Sequence, residues 1–396
     1  MKQKVVLAFS GGLDTSFCVP HLINERNLEV HTVIVNTGGF SDEELKRIEE
    51  RANVLGAASH TAIDAVNDYY EKGIKYLIFG NVLKNNTYPL SVSSERFFQA
   101  LAVLEHVKKI GAEYVAHGST GAGNDQVRFD LVFEVLAPEV KILAPIRELQ
   151  LSRQQEIDYL KSHGFDFSWE KSKYSINQGL WGTSVGGVET LKSSGILPEE
   201  AYPSQVTDFG AERIKIGFEK GEPVSLNGEK MSPVDLIRSL HKMASKFGIG
   251  RDVHVGDTII GTKGRVAFEA PAPLILVKAH HLLEKHVLTK QQLYWKESLS
   301  NYYGQLMHEA QYLEPVMRNI ETFLDDTQQF VSGEVDVELR PYHFAVLACS
   351  TDNDLMNPIF GEYGEVNKSF TGQDVIGFTK VIANPLKIYY KIHEKE

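Results

Sequence analysis

Nine residues near the start of the chain, Ala8-Phe9-Ser10-Gly11-Gly12-Leu13-Asp14-Thr15-Ser16, constrain it more than any other stretch. An apolar run, Val5-Val6-Leu7-Ala8, leads into them, and residues 16–25 have helical character. A strand, a glycine-rich turn and a helix start in succession make an anion site. Backbone N–H groups converge at the turn, the helix dipole favours negative charge, and the two glycines admit a phosphate closely. No lysine closes the turn, so it is not the GxxxxGK[ST] phosphate loop, and it is not GxGxxG. Ser-Gly-Gly also makes ordinary turns. The flanking strand and helix favour the anion reading.

At 396 residues the chain exceeds one ordinary core, which points to two domains. A hydrophobic content of 42% with 23% charged residues describes a folded protein. A net charge of −11 argues against a nucleic-acid partner. Cys18 and Cys349, far apart, suggest no disulfide framework and a reducing compartment. No apolar run is long enough for a signal peptide at the N-terminus or for a membrane span, so no membrane partner is expected and the cytoplasm is the default.

Further strands are expected at residues 28–35, 58–63, 113–117 and 141–145. Ser41-Asp42-Glu43-Glu44 starts a helix with a capping box, and residues 97–109 read as another helix. Strands alternating with helices mean a doubly wound parallel sheet, with ligands at the carboxyl ends of its strands. One strand runs into Gly118-Ser119-Thr120-Gly121-Ala122-Gly123-Asn124-Asp125-Gln126-Val127-Arg128-Phe129. Its glycines bring backbone near a ligand. Asn and Asp can hold an amino acid's charged ends, and Arg grips carboxylate or phosphate bidentately. A solvated loop with an Asn-Asp turn is the plainer alternative.

The first stretch resembles the pyrophosphate loop of the ATP pyrophosphatases. Together with the second it is similar to the paired signatures of the argininosuccinate synthase family. The likeness continues through Tyr88-Pro89-Leu90, Tyr174-Ser175, Gly248-Ile249-Gly250-Arg251, Gly261-Thr262-Lys263-Gly264-Arg265 and Phe268-Glu269-Ala270-Pro271. It implies an α/β fold: a doubly wound ATP pyrophosphatase-type nucleotide-binding domain (1–170), a second α+β synthetase domain (171–372) and a C-terminal arm (373–396). It implies ATP-dependent joining of citrulline to aspartate through a citrullyl-adenylate, with ATP as substrate, Mg2+ as cofactor and a homotetrameric assembly.

By the same resemblance Ser10, Gly11, Gly12, Asp14, Thr15 and Ser16 hold the polyphosphate, with Ala8, Val35 and Gly118 around the nucleoside. Thr120, Asn124 and Asp125 match residues that bind aspartate. Tyr88, Ser93, Asn124, Arg128, Ser175 and Ser184 match residues that bind citrulline. Asp14, Ser10 and Asp125 are the catalytic candidates. Asp14 reads as a magnesium ligand or as an N-cap.

The departures are as informative. A lysine of the family falls at Ala122, a threonine at Val92, and a glutamate and a tyrosine that hold citrulline's amino end fall at Gly256 and Phe268. An unpaired ammonium in a closed site costs roughly 2–5 kcal/mol, which a blocked amine avoids. N-acetyl- or N-succinyl-citrulline is therefore an alternative substrate. Otherwise Asp257 or Glu269 takes over the lost glutamate's role. A tRNA-thiolating or amidotransferase-type relative and a nucleotide-binding regulator without ligase activity are the rival functions.

The first domain is expected to close near Trp169-Glu170-Lys171. Beyond it, residues 214–218, 222–226, 253–260 and 266–268 read as strands, and Ser232-Pro233-Val234-Asp235 opens a helix that ends at Gly248. His281 and His286 invite a metal reading, but a helix with solvent-facing histidines fits better and no resident metal cluster is expected. Residues 299–330 read as one long helix, 334–339 and 343–348 as strands, and 386–390 as a late strand or arm.

Overall fold

The computed structural model describes residues 2–167 and 173–394. The expected boundary at Trp169-Glu170-Lys171 lies outside the described residues. The chain begins with β1 (Lys4–Ala8), α1 (Leu13–Asn24), β2 (Glu29–Asn36), α2 (Asp42–Val54) and β3 (Ser59–Asp64). Then α3 (Val66–Tyr69) and α4 (Lys75–Phe79), joined by a wide π turn, lead to α5 (Glu95–Ile110) and β4 (Tyr114–His117). α6 (Asp125–Leu136), β5 (Lys141–Leu143), α7 (Pro145–Leu149) and α8 (Arg153–Ser162) complete this half.

The five strands pair in parallel in the order β3-β2-β1-β4-β5. Parallel strands covered on both faces are apolar along their whole length, and Val5, Val6 and Leu7 are each 0% exposed. After β1 the chain turns outward to β2 on one side, and β4 returns on the other. The carboxyl ends of β1 and β4 therefore flank the switch point, where doubly wound sheets bind ligands.

Local signals explain the helix starts. Ser41 and Glu44 close a reciprocal capping box on α2. α1 starts at Leu13, earlier than its apolar pattern suggests, with Asp14 in its first turn. The second signature is loop only as far as Asn124. Phe129, Val132 and Phe133 supply a buried helical face, so Asp125 and Arg128 stand on the first turn of α6.

The next segment contains β6 (Ser175–Gly179), β7 (Gly182–Gly186), β8 (Glu212–Glu219), β9 (Glu222–Leu226), β10 (Glu229–Lys230) and α9 (Pro233–Ser245). β11 (Arg251–Asp257), β12 (Lys263–Glu269), α10 (Pro271–Val287), α11 (Lys290–His308), α12 (Pro315–Thr327), β13 (Gly333–Arg340) and β14 (His343–Ser350) follow. The strands form two antiparallel sheets, β11-β12-β7-β6 and β10-β9-β8-β13-β14.

Two expectations fail here. The long helix over 299–330 is two helices, because Ala310 takes φ +59° and Pro315 opens a new helix at its first position. On α10, His281 is exposed as expected, but His280 is fully buried between Asn81 and Gln328.

Residues 1–352 form one compact unit and 353–396 a second. The second contains α13 (Gly372–His393), started by a Thr371–Asp374 capping box. Leu386–Tyr390, expected as a strand or arm, lies inside this helix, and none of its residues is buried.

Candidate active site

A cavity of about 1030 Å³ opens at the switch point. The β1–α1 loop forms one wall. Ser10 Oγ lies 3.3 Å from Thr15 Oγ1, Gly12 N donates to Ser10 Oγ at 3.4 Å, and Thr15 Oγ1 donates to Gly12 O at 3.3 Å. Arg51 of α2 braces the turn by donating to the Gly11 carbonyl. The β4 end lies against this wall: a Cβ on Gly118 would stand 2.9 Å from Thr15 Cγ2, so the two loops meet only because Gly118 carries none.

Of the candidate residues, Ala8, Ser10, Gly12, Asp14, Thr15, Val35, Tyr88, Ser93, Gly118, Thr120, Asn124, Asp125, Arg128, Ser175 and Ser184 line this one cavity. Gly11 lines a smaller adjoining pocket with Arg47 and Arg51. Ser16 stands apart, fully buried in α1 and outside the cavity lining. Below the loop, the carboxyl of Glu156 on α8 meets that of Asp14. Burial, then the Asp14 charge and a hydrogen bond to it, raise the Glu156 carboxyl above its ordinary range.

The opposite wall is a chain of charges. Arg128 Nη1 donates to Asp125 Oδ1 at 2.8 Å and its Nε to the His308 carbonyl at 3.0 Å. Arg96 Nε donates to Asp125 Oδ2 at 3.0 Å, and its Nη1 to Glu95 Oε1 at 2.8 Å. Burial would raise Asp125, but Arg96 and Arg128 together hold it down at about 2. Glu95 goes the other way: burial pushes it up to about 7 against the pull of Arg96 and Thr37. His308 Nδ1 meets Ser93 Oγ at 3.1 Å, and burial with the nearby Arg128 drives its imidazole down to about 2.

Glu95, Arg96, His254 and His308 all border the cavity and were absent from the sequence-based candidates. The adjacent charges at Glu95-Arg96, two positions after Ser93 and just before the buried Phe97 and Phe98, were a readable signal. His308 gave none, because α11 brings it in from 180 positions beyond Arg128.

The departures resolve differently from expectation. Gly256 borders the cavity but leaves no room for a side chain as packed, since a Cβ there would stand 2.6 Å from His254 Nε2. Phe268 is fully buried beside Tyr88, with ring centroids 5.4 Å apart. Glu269 does not replace the missing acid: its Oε2 accepts from Arg251 Nε at 3.0 Å, and it lies outside the cavity lining. Asp257 lines the cavity but pairs with Lys263 at 2.6 Å, with its side chain 74% exposed.

The arrangement is one chamber with an anion-binding turn at one side and a carboxylate–guanidinium wall at the other. It can hold a nucleotide's phosphates beside amino-acid ammonium and carboxylate groups. Comparisons with known proteins agree with it. The arginosuccinate synthase N-terminal HUP domain profile matches residues 4–166, and the arginosuccinate synthase C-terminal domain profile matches residues 174–389. Argininosuccinate synthase of Methanocaldococcus jannaschii is 41% identical over 86% of this chain and 86% of its own length. The enzymes so named from Sulfolobus acidocaldarius and Xanthomonas axonopodis pv. citri are 38% and 36% identical, covering 96% and 99% of this chain and 96% and 95% of their own lengths. On its fold, its chamber and its likeness along nearly its whole length, this chain belongs to the argininosuccinate synthase family.

Proposed function

We infer that this chain is an ATP-dependent carbon–nitrogen ligase that joins citrulline to aspartate in arginine biosynthesis, giving argininosuccinate, AMP and pyrophosphate. The observation that carries this reading is the meeting of the Ser10–Thr15 turn with Asn124, Asp125 and Arg128 around one cavity. The chemistry needs no covalent protein intermediate. It needs two amino acids and a triphosphate held in line in a site with fixed charges.

In the proposed assignment, Ser10, Gly12 and Thr15 seat the phosphates at the positive end of α1, with Ala8, Val35 and Gly118 about the nucleoside. Tyr88, Ser93, Arg128, Ser175 and Ser184 position citrulline so that its ureido oxygen faces the α-phosphorus. Thr120, Asn124 and Asp125 hold aspartate. Asp125, kept ionised by its two arginines, suits an ammonium. Ser16 and Gly11 act by shaping the turn rather than by touching the nucleotide.

Magnesium belongs to the same proposal. Among the described residues no group of three His, Cys, Asp or Glu side chains forms a metal cage. A lone loop carboxylate, Asp14, fits an ion that takes one or two carboxylates, substrate phosphates and water. Bound there, Mg2+ would spread the polyphosphate charge.

We further take residues 1–170 as the nucleotide half, 171–372 as the synthetase half and 373–396 as the arm of a homotetramer. On α13, Phe378, Ile382, Leu386 and Tyr390 are each more than half exposed, which suits a subunit contact. Among the described residues no helix is long and apolar enough to cross a membrane; a cytoplasmic location is part of this reading.

The test is pyrophosphate release from ATP with aspartate and free, N-acetylated or N-succinylated citrulline. Release with free citrulline at the highest kcat/KM is expected. Preference for an acylated form would contradict the substrate assignment, and no release with any pair would contradict the enzyme assignment.

A further inference from the structure

Glu95 is a buried carboxyl on the cavity wall that the assignment above leaves without a task. It stands at the start of α5, is 1% exposed, and still borders the cavity. Thr37 Oγ1 donates to its Oε2 at 2.8 Å and Arg96 Nη1 to its Oε1 at 2.8 Å. β6 passes so close that a Cβ on Gly179 would stand 2.2 Å from Oε2, so this edge is built to admit the carboxyl. Arg96 joins Glu95 to Asp125, the proposed ammonium contact, through one guanidinium.

The other groups that bear on Glu95 are few. Tyr69 of α3 senses its charge, Asp125 of α6 opposes its ionisation, and Arg96 favours it. Arg128 acts one step removed, through Asp125. Burial dominates, so this carboxyl exchanges a proton near neutral pH while Asp125 stays charged.

The second half-reaction requires a proton acceptor beside Asp125. Aspartate arrives as an ammonium, which has no lone pair, and only the free amine attacks the ureido carbon. We propose that Glu95 is the general base of the ligation step, taking one proton from the ammonium of bound aspartate. With the adenylate written as a neutral isourea, the amine nitrogen then forms the C–N bond. The C–O bond to the adenylyl phosphate breaks, and its electron pair leaves with AMP. The remaining N–H protons stay within the product's guanidinium, whose positive charge balances the negative charge AMP takes away. The proton on Glu95 passes to solvent before the next turnover.

This proposal rests on the ligase reading, and the experiment separates the two. Citrulline-dependent exchange of labelled pyrophosphate into ATP, without aspartate, reports the first half-reaction. Rapid-quench AMP formation on adding aspartate reports the second. In Glu95→Gln the exchange is expected to stay within about twofold of wild type. The aspartate step is expected to slow by about 10²–10⁴-fold, the range for loss of a general base. In the wild type, kcat/KM for aspartate is expected to fall with a limb at about pH 7 as the carboxyl takes up its proton. Glu95→Gln lacks that limb, and Glu95→Asp recovers part of the rate. Gly179→Ala, which crowds the carboxyl, slows the aspartate step alone. An aspartate step within threefold of wild type in Glu95→Gln, a limb that persists in it, or equal loss of both half-reactions would overturn the proposal. Absence of exchange in the wild type would instead overturn the ligase reading.

Discussion

Asn124 Oδ1 accepts the backbone N–H of Ile259 at 2.9 Å. This bond ties the second signature, at the mouth of the parallel sheet, to the β11–β12 turn of the chain's second half. One side chain that faces the cavity thus also fixes the opposite rim. Asn124→Ala is expected to lower kcat/KM for both amino acids by up to about tenfold, the worth of one net hydrogen bond. It should also speed hydrogen exchange at the Ile259 amide, whereas Asn124→Asp keeps the acceptor and the protection. Unchanged exchange in Asn124→Ala would show that the tie carries nothing.

Arg128 cannot be exchanged for lysine without loss, since its fork serves Asp125 and the His308 carbonyl at once. Arg128→Lys should reduce stability by about 1–3 kcal/mol, below the figure for a wholly buried pair, because the Asp125 side chain is 40% exposed. The sign with pH follows from Asp125, whose folded value of about 2 lies below its unfolded one. Its ion pairing stabilises above about pH 4 and is lost as pH falls through about 2. In Arg128→Lys the acid limb moves to higher pH, which melting temperatures between pH 2 and 5 would reveal.

His308 makes a second pH-dependent contribution. Burial keeps it neutral down to about 2, well below its unfolded value. Unfolding therefore takes up a proton between those limits, and stability falls as pH drops below about 6.5, by at most about 1.4 kcal/mol per pH unit. The stability gap between wild type and His308→Gln should narrow as pH is lowered from 7 to 4. A gap independent of pH would contradict a neutral, buried His308.

Away from the cavity, Lys296 Nζ meets Glu284 Oε2 at 2.9 Å, with side chains 3% and 0% exposed. Asn81 and Gln328 also donate to Glu284. Lys296→Met leaves a buried carboxylate without its cation and should cost about 3–5 kcal/mol of unfolding free energy. Enzyme that remains folded should keep its KM values, measurable at low temperature.

The parts of the fold that could be read from sequence are those set by local signals. Val5–Leu7 is apolar because it is buried on both faces, and Ser41 with Glu44 announces α2, so both are visible in a short window. The break after His308 was missed because the apolar pattern runs on through Tyr312 and Met317, while Ala310 turns the backbone. Residues 386–390 look like a strand by composition, yet they continue a helix capped fifteen positions earlier at Thr371. The site divides in the same way. Contiguous motifs marked Ser10 to Thr15 and Asn124 to Arg128. His254 and His308 reach the cavity only through tertiary packing, and the close pass of Gly179 against Glu95 has no local signature.

The central claim is that the Ser10–Thr15 turn seats the triphosphate so that citrulline's ureido oxygen captures the adenylyl group. The most direct measurement is the phosphorus-31 spectrum of the products formed from ATP, citrulline and aspartate by wild type and by Asp14→Asn. Wild type should give AMP and pyrophosphate in equal amounts, and Asp14→Asn should slow both by at least about tenfold through loss of the loop's charge contact. Formation of ADP and phosphate, or an Asp14→Asn enzyme as fast as wild type, would contradict the account.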